Sequence, residues 1–299
     1  MPELPDVTMY VEALDRHVVG HTLEKARIQS PFLVRSVDPP VKTIEGRDVE
    51  TVESIGKRIV LGLSGDLFMV IHLMVTGRLR WRKRGCIVPK KGGLAAFDFA
   101  HGAVLFTERG RKKKASLHVV SGRDALAEHD PGGIDVLACA LDAFTAALTA
   151  GNHTLKRALT SPRRLSGIGG AYADEICWEA RVSPLKWTSK LDATEIERLH
   201  RATKTVMTAF TERMREELGE KFPETVTAFR PDMAVHGKYK EACPRCGAPV
   251  QRIVYVQNET NYCAACQTGG KLLADRALSQ LLKKDWPKTL EGWEELHRK

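Results

Sequence analysis

Two Cys-x2-Cys pairs near the C-terminus constrain this chain more than any other feature. Cys243 and Cys246 are followed, sixteen residues on, by Cys263 and Cys266. Four thiolates in two knuckles can close a tetrahedron around one Zn²⁺ ion. With every ligand supplied by protein, such a site is structural and not catalytic. Residues 250–256 are rich in β-formers, and 259–261 are polar ahead of Tyr262, so a hairpin is expected between the knuckles. A lone redox pair would have no use for the second knuckle. The remaining cysteines, Cys86, Cys139 and Cys177, are scattered and read as small apolar core residues. Zinc ribbons occur in DNA, RNA and protein binders, so the knuckles leave the partner open.

The formal charge of +9 narrows that choice, since a basic surplus suits a polyanion. Aromatic residues make up only 6%, which argues against a single-strand binder built on stacking platforms. No apolar run approaches the ~20 residues that span a bilayer. The chain opens on Pro2, Glu3 and Asp6, without a basic segment followed by an apolar one. No membrane association is expected, and the expected location is the cytoplasm, beside the nucleoid.

A chain of 299 residues has room for two or three cores. Val7, Tyr10, Val11, Leu14 and Val18 repeat at helical spacing, and Gly20 can end that helix. Short β-rich runs then occupy 58–63, 67–73, 77–82, 94–99, 103–107 and 115–120, with glycines between them, which predicts a sandwich or barrel. After Pro131 the period turns helical. Leu137, Leu141, Phe144 and Leu148 mark one helix, and 154–160 another. A long helix starts at Asp192, with Glu195 completing a capping box, and closes at Gly219. The tail looks helical over 272–282. The expected units are a catalytic sandwich over 1–125, a helical unit over 131–235, a finger over 236–267 and a basic extension over 268–299.

Two further segments could carry chemistry. Gly167-Ile168-Gly169-Gly170 precedes a helical run from Ala171, and glycines there let a phosphate approach exposed backbone N–H groups. A plain turn between packed helices has the same composition. At the other end, Pro2 is small enough to permit removal of Met1. That would leave a secondary amine titrating near pH ~8, able to attack a sugar C1′ and form an iminium. Glu3, the adjacent residue, can donate and accept a proton. Most N-termini are merely frayed.

Taken together, Pro2-Glu3-Leu4-Pro5-Asp6, the 167–175 segment and the four-cysteine finger resemble the formamidopyrimidine-DNA glycosylase / endonuclease VIII family, in the family's order. Gly56-Lys57, His72-Leu73 and 235–238 add to the match, which spans residues 2–267. The resemblance implies an α+β multidomain fold: an N-terminal β-sandwich flanked by helices, a helical domain with a helix–two-turn–helix, and a C-terminal β-hairpin zinc finger. It implies a glycosylase and AP lyase acting on duplex DNA that carries a damaged base or an abasic site. Pro2 would form the Schiff base, Glu3 would protonate the opening sugar, and Lys57 would sit beside a phosphate. Asp6 stands where the family usually has glutamate. Lys156, Gly169, Gly170, Tyr172 and Lys238 would line the DNA. One structural zinc is the only cofactor implied, and a monomer is expected.

The departures bear on substrate. Val75 takes the position of the usual wedge methionine, leaving Met74 one place off. The usual Arg and Phe loop reads Arg109-Gly110-Arg111-Lys112-Lys113-Lys114, a cationic strip that holds phosphates but does not stack between bases. Asn258 stands at the position of the finger arginine linked to δ-elimination, and Gly170 at that of an asparagine. The segment 222–236 is too short for a long lesion-capping loop, so small or ring-opened bases are expected. Two alternatives are a catalytically weak protein of the same fold that binds damaged DNA, and an RNA-associated zinc protein.

Overall fold

The computed structural model describes residues 1–110, 113–224, 230–255, 258–274, 287 and 289. The chain forms two compact units, one of residues 1–131 and 209–228, the other of 132–208 and 229–299.

The first unit opens with helix α1 (Leu4–Val18), which buries Val7, Tyr10, Ala13, Leu14 and Val18 on one stripe. Among the described residues, nine strands follow: β1 (Thr22–Leu23), β2 (Lys25–Ile28), β3 (Arg47–Ile55), β4 (Arg58–Leu63), β5 (Leu67–His72), β6 (Gly77–Arg82), β7 (Gly93–Phe99), β8 (Gly102–Glu108) and β9 (Ser116–Ser121). They form two antiparallel sheets, ordered β1-β3-β4-β5-β9 and β2-β7-β8-β6. Ile59, Leu61, Met69, Ile71, Leu117 and Val119 from the first sheet share a core with Leu79, Phe97, Phe99, Val104 and Phe106 from the second. The architecture is therefore the expected sandwich, with the stripe of α1 in the same core. The short helix α2 (Arg123–Ala127) lies on the outer side, where Leu126 joins Val60, Phe68 and Val70.

The second unit contains α3 (Leu141–Thr149), α4 (Leu155–Leu159), α5 (Gly170–Glu179) and the start of α6 (Ala193–Leu218). The capping box of α6 forms: Asp192 N–H donates to Glu195 Oε2 at 3.1 Å, and Glu195 N–H donates to Asp192 Oδ1 at 2.9 Å. Leu137, by contrast, lies outside α3. Asp135 Oδ1 accepts from the N–H groups of Leu137 and Ala138, which turns the chain before the helix begins. The hairpin β10 (Val250–Tyr255) and β11 (Asn258–Cys263) leads into α7 (Ala264–Thr268). The polar run 259–261 is thus part of the second strand. Of the expected tail helix, residues 275–282 lie outside the described residues. Among the described residues, no helix is long and apolar enough to cross a membrane.

Two glycines differ in what their backbones demand. A Cβ on Gly77 would lie 2.2 Å from the Leu73 carbonyl oxygen, so the 73–77 turn needs glycine. A Cβ on Gly170, the first residue of α5, would meet nothing within 4 Å. Gly77→Ala should therefore cost roughly 2 kcal/mol in urea melts, the scale of an overpacked site, while Gly170→Ala should stay within about 0.5 kcal/mol of wild type. Equal stability of the two variants would contradict this reading.

Candidate active site and nucleic-acid interface

Helix α1 begins in a buried place, and that decides the chemistry of its first residues. Pro2, Glu3 and Asp6 are all buried, with Glu3 at 2% and Asp6 at 1% exposure. Glu3 is the N-cap, and its N–H donates to Asp6 Oδ2 at 2.8 Å, in a capping box closed through acidic side chains. Asp6 Oδ1 is buried without a hydrogen-bond partner among the described residues. Burial pushes the Asp6 carboxyl up to about 7, against the pull of the Glu3 N–H, and the nearby Glu3 carboxylate adds to the rise. Asp6 is thus largely protonated in slightly acidic solution.

Cations gather around this pair. The terminal amine, on half-buried Met1, is held below its ordinary value. Burial is the main cause, Arg78 and Lys57 assist, and Glu3 and Asp6 oppose it. Lys57, in the turn between β3 and β4, is likewise lowered by burial while Glu3 draws it back up. The structure therefore brings Pro2, Glu3, Asp6 and Lys57 into one electrostatic neighbourhood. It adds Arg78, which sequence reasoning missed. Its guanidinium Nη1 donates to the carbonyls of Gly77 at 2.6 Å and Val75 at 3.2 Å. The available signal was the alternation of Arg78, Arg80 and Arg82, which puts three cations on one face of β6.

The turn that Arg78 holds carries Met74 in a left-handed conformation, φ +53°, and Val75 at 56% exposure. It lies beside the cationic loop: Gly110 N–H donates to Thr76 Oγ1 at 3.2 Å, and Gly77 pairs with Glu108 across β6 and β8. Glu108, 1% exposed, is the loop's clasp. Its Oε1 accepts from Lys114 N–H at 3.0 Å and Ala115 N–H at 3.3 Å, and the Lys113 ammonium donates to its carbonyl. Arg109, Lys113 and Lys114 are left exposed. Arg111 and Lys112 lie outside the described residues.

In the second unit, Gly169 is the N-cap of α5 and Gly170 opens it, exposed. Tyr172, by contrast, is 1% exposed, with its ring in the interior. Lys156 also turns inward. Its ammonium donates to Asp174 Oδ1 and to the Glu259 carbonyl of β11, both at 2.6 Å. Asp174 is fully buried and also meets His236 Nδ1 at 2.9 Å and accepts from Asn261 N–H at 3.1 Å. Its neighbour Glu175 accepts from three successive N–H groups, of Ala234, Val235 and His236, at 2.8–2.9 Å. Burial nevertheless raises the Glu175 carboxyl, with those donors opposing. Two adjacent acids thus bind the loop helix to the finger, and both lay unweighted within the 167–175 segment. Lys238 pairs with Glu241 at 3.1 Å, and Asn258 stands exposed at the start of β11.

The four cysteines converge as their spacing predicts. Their sulfurs lie within 4.8 Å of one another, with Cys243 to Cys266 at 3.9 Å and Cys246 to Cys263 at 3.4 Å. Tetrahedral Zn–S bonds of about 2.3 Å require sulfurs about 3.8 Å apart, so the set fits one structural zinc. Trp178 of α5 donates its indole N–H to Cys243 Sγ at 3.3 Å, a contact that favours the thiolate.

Comparison with known proteins agrees with this geometry. Family models for the formamidopyrimidine-DNA glycosylase N-terminal domain, its H2TH domain and the zinc finger found in FPG and IleRS match residues 1–124, 134–218 and 240–269. A formamidopyrimidine-DNA glycosylase of Thermus thermophilus is 30% identical over 279 residues, covering 90% of this chain and all of the relative. The crystal structure of the Thermus thermophilus MutM (Fpg) protein superposes with a TM-score of 0.75 at 28% identity, covering 89% of this chain and 98% of that one. A Lactococcus lactis Fpg in complex with abasic-site DNA gives 0.78 at 22% identity, covering 89% and 99%, and speaks for the fold. The chain belongs to the formamidopyrimidine-DNA glycosylase family. Its class is that of the DNA glycosylases of base excision repair.

The raised Asp6 carboxyl has a consequence for stability. Below about pH 4 it is protonated in both folded and unfolded chains, and no penalty exists. Between about 4 and about 7 only the folded chain keeps the proton, so the Asp6 contribution falls as pH rises and is lost above that window. Asp6→Asn keeps an acceptor for the Glu3 N–H and removes the titration. Urea melts should show the variant gaining stability over wild type as pH rises from about 4 to 8, by up to roughly 4 kcal/mol. A gain that is the same at both ends of that range would contradict the buried neutral acid.

Proposed function

We propose that this chain excises oxidised or ring-opened bases from duplex DNA and nicks the strand at the resulting abasic site, with Pro2 as nucleophile. The observation that carries the reading is the buried head of α1. There an amine held below its ordinary pKa shares a pocket of charge with Glu3, Asp6, Lys57 and Arg78. Removal of Met1 hands the terminus to the Pro2 nitrogen.

The nitrogen lone pair attacks C1′ of a nucleotide turned out of the stack, since C1′ is inaccessible within it. The C1′–N bond to the base breaks, and the base leaves with that electron pair. Glu3 takes the proton that the Pro2 nitrogen sheds on attack and passes it to the ring oxygen as the sugar opens, giving an iminium at C1′, and the departed base is protonated by water. Loss of a C2′ proton then expels the 3′ phosphate by β-elimination, and water releases Pro2. Asp6, neutral below about pH 7, fixes the Glu3 backbone while placing less than a second full charge beside its carboxylate. Lys57 neutralises a phosphate at the reacting sugar.

Met74, Arg109, Arg111 and Lys112 would contact DNA from the first unit. Gly169 and Gly170 would receive a phosphate at the head of α5, whose first N–H groups lie at the positive end of a ten-residue helix. Lys238 and Asn258 would add polar contacts. Tyr172 and Lys156 serve this surface from within, as support for the loop.

Borohydride reduction on abasic-site DNA tests the proposal. Wild type should give a covalent adduct at neutral pH. Glu3→Gln should lower the rate of base excision by about 100-fold or more, the usual loss of a general acid. Trapping that persists in protein whose N-terminus is blocked by a fused residue would rule out the nucleophile.

A further inference from the structure

The outer face of the five-stranded sheet has a basic end that the chemistry above does not use. In the β4–β5–β9 register, Arg58 lies opposite His72, and His72 opposite Ser116. The next row on the same face is Val60, Val70 and His118. The intervening residues Ile59, Ile71 and Leu117 are core, so these rows point away from the sandwich interior. Leu126 of α2 roofs the apolar part, Val60, Phe68 and Val70. At the other end the chain leaving α2 brings His129 against His118, with ring centroids 4.8 Å apart. Arg58 Nη1 donates to the His129 carbonyl at 2.9 Å.

We propose that Arg58, His118 and His129 form a phosphodiester-binding strip that extends the DNA interface beyond the phosphate at Lys57. This rests on the reading of the chain as a DNA enzyme. Its ligand is a backbone phosphate of the duplex, chosen by charge.

The local field is cationic. Lys57 and Arg58 act on His72, Arg35 and Arg58 act on His118, and Arg58 acts on His129. The carboxylates that answer them are Asp130, which acts on Arg58, and Glu128, which acts on His129. All three imidazoles are held below their ordinary value, by burial first and then by these cations and by one another, His129 acting on His118 ahead of the arginines and His118 on His72, and His72 falls to about 4. A hydrophobic end needing only a lid would be closed by an apolar side chain. Half-buried His118, His129 and Arg58 instead offer N–H donors at one end of the sheet. A phosphate among them reverses the local field, so each imidazole it touches takes up a proton on binding. Affinity then rises as pH falls. The two rings, tilted 57° to one another, lie close enough for one phosphate to be shared between two donors.

The test uses full-length, zinc-loaded protein and duplex DNA carrying a tetrahydrofuran abasic analogue, with affinity read by fluorescence anisotropy. Wild type should bind several-fold more tightly at about pH 6 than at about pH 8; Asp6, the terminal amine and Lys57 titrate alike in wild type and the histidine variants, so the slope that belongs to the strip is the difference between them. His118→Gln/His129→Gln should lose most of that pH dependence. Its plot of log affinity against log salt should flatten by about 0.9 for each phosphate that the variant no longer neutralises. His129→Gln alone, outside the sheet, gives the same direction if the double variant folds poorly. Unchanged pH and salt slopes in both variants would overturn the strip, as would inorganic phosphate displacing the pH-dependent interaction as well as DNA does. Wild type that fails to prefer the abasic duplex over undamaged duplex would instead overturn the parent reading, and the two failures are distinct.

Discussion

Burying the first turn of α1 is the constraint from which the site follows. The apolar stripe from Val7 to Val18 belongs to the same core as both sheets, so the helix cannot lift its N-terminus into water without giving up that packing. Its leading residues are then a proline and two acids, placed where charge is costly. The helix answers part of the cost, because its unpaired N–H groups and positive dipole end favour a carboxylate at Glu3 and an acceptor at Asp6. The remainder shows as displaced titration: Asp6 keeps its proton, while the amine and Lys57 give theirs up more readily. The proposed imine chemistry rests on this amine, able to stay unprotonated, beside Glu3, with Asp6 holding the Glu3 backbone.

The second unit uses the same device for a mechanical end. Asp174 and Glu175, both buried on α5, are satisfied by partners on other elements: Lys156 of α4, Asn261 of β11, and the backbone at 234–236. A half-satisfied pair here would be worse than an apolar one. Helix α4, helix α5 and strand β11, which starts at Asn258, are therefore tied by one polar network around a buried acid, and Trp178 of the same helix α5 bonds the Cys243 knuckle. The four cysteines would hold a zinc ion that stabilises the same finger.

Much of this was legible in the sequence, for reasons particular residues make plain. The core strands from β4 to β9 announced themselves because their apolar runs are short and glycine-bounded. The four cysteines needed only spacing, and the box at Asp192 and Glu195 is a local reciprocal bond. Strands β1 to β3 left no such trace. β1 has two residues, and β3, read RDVETVESI, buries only Val49 fully. Leu137 fitted helical spacing, but a local Asx turn at Asp135 won over periodicity. Lys156 and Tyr172 were expected at the DNA surface and lie inward. The partner that draws Lys156, Asp174, is eighteen residues away, a separation with no pattern to mark it. Arg78 stood in a visible alternation with Arg80 and Arg82, but its place beside the terminal amine is set by the fold, as is the clasp that Glu108 forms with Lys114 and Ala115.

The central claim is that the reacting nitrogen is the one at the head of α1. The most direct measurement is mass spectrometry of the protease-digested, borohydride-reduced complex with abasic-site DNA. The sugar remnant should lie on a peptide starting at Pro2, with Met1 gone and the mass attached to the proline nitrogen. A remnant on Lys57 or any other lysine, with an unmodified N-terminal peptide, would contradict it.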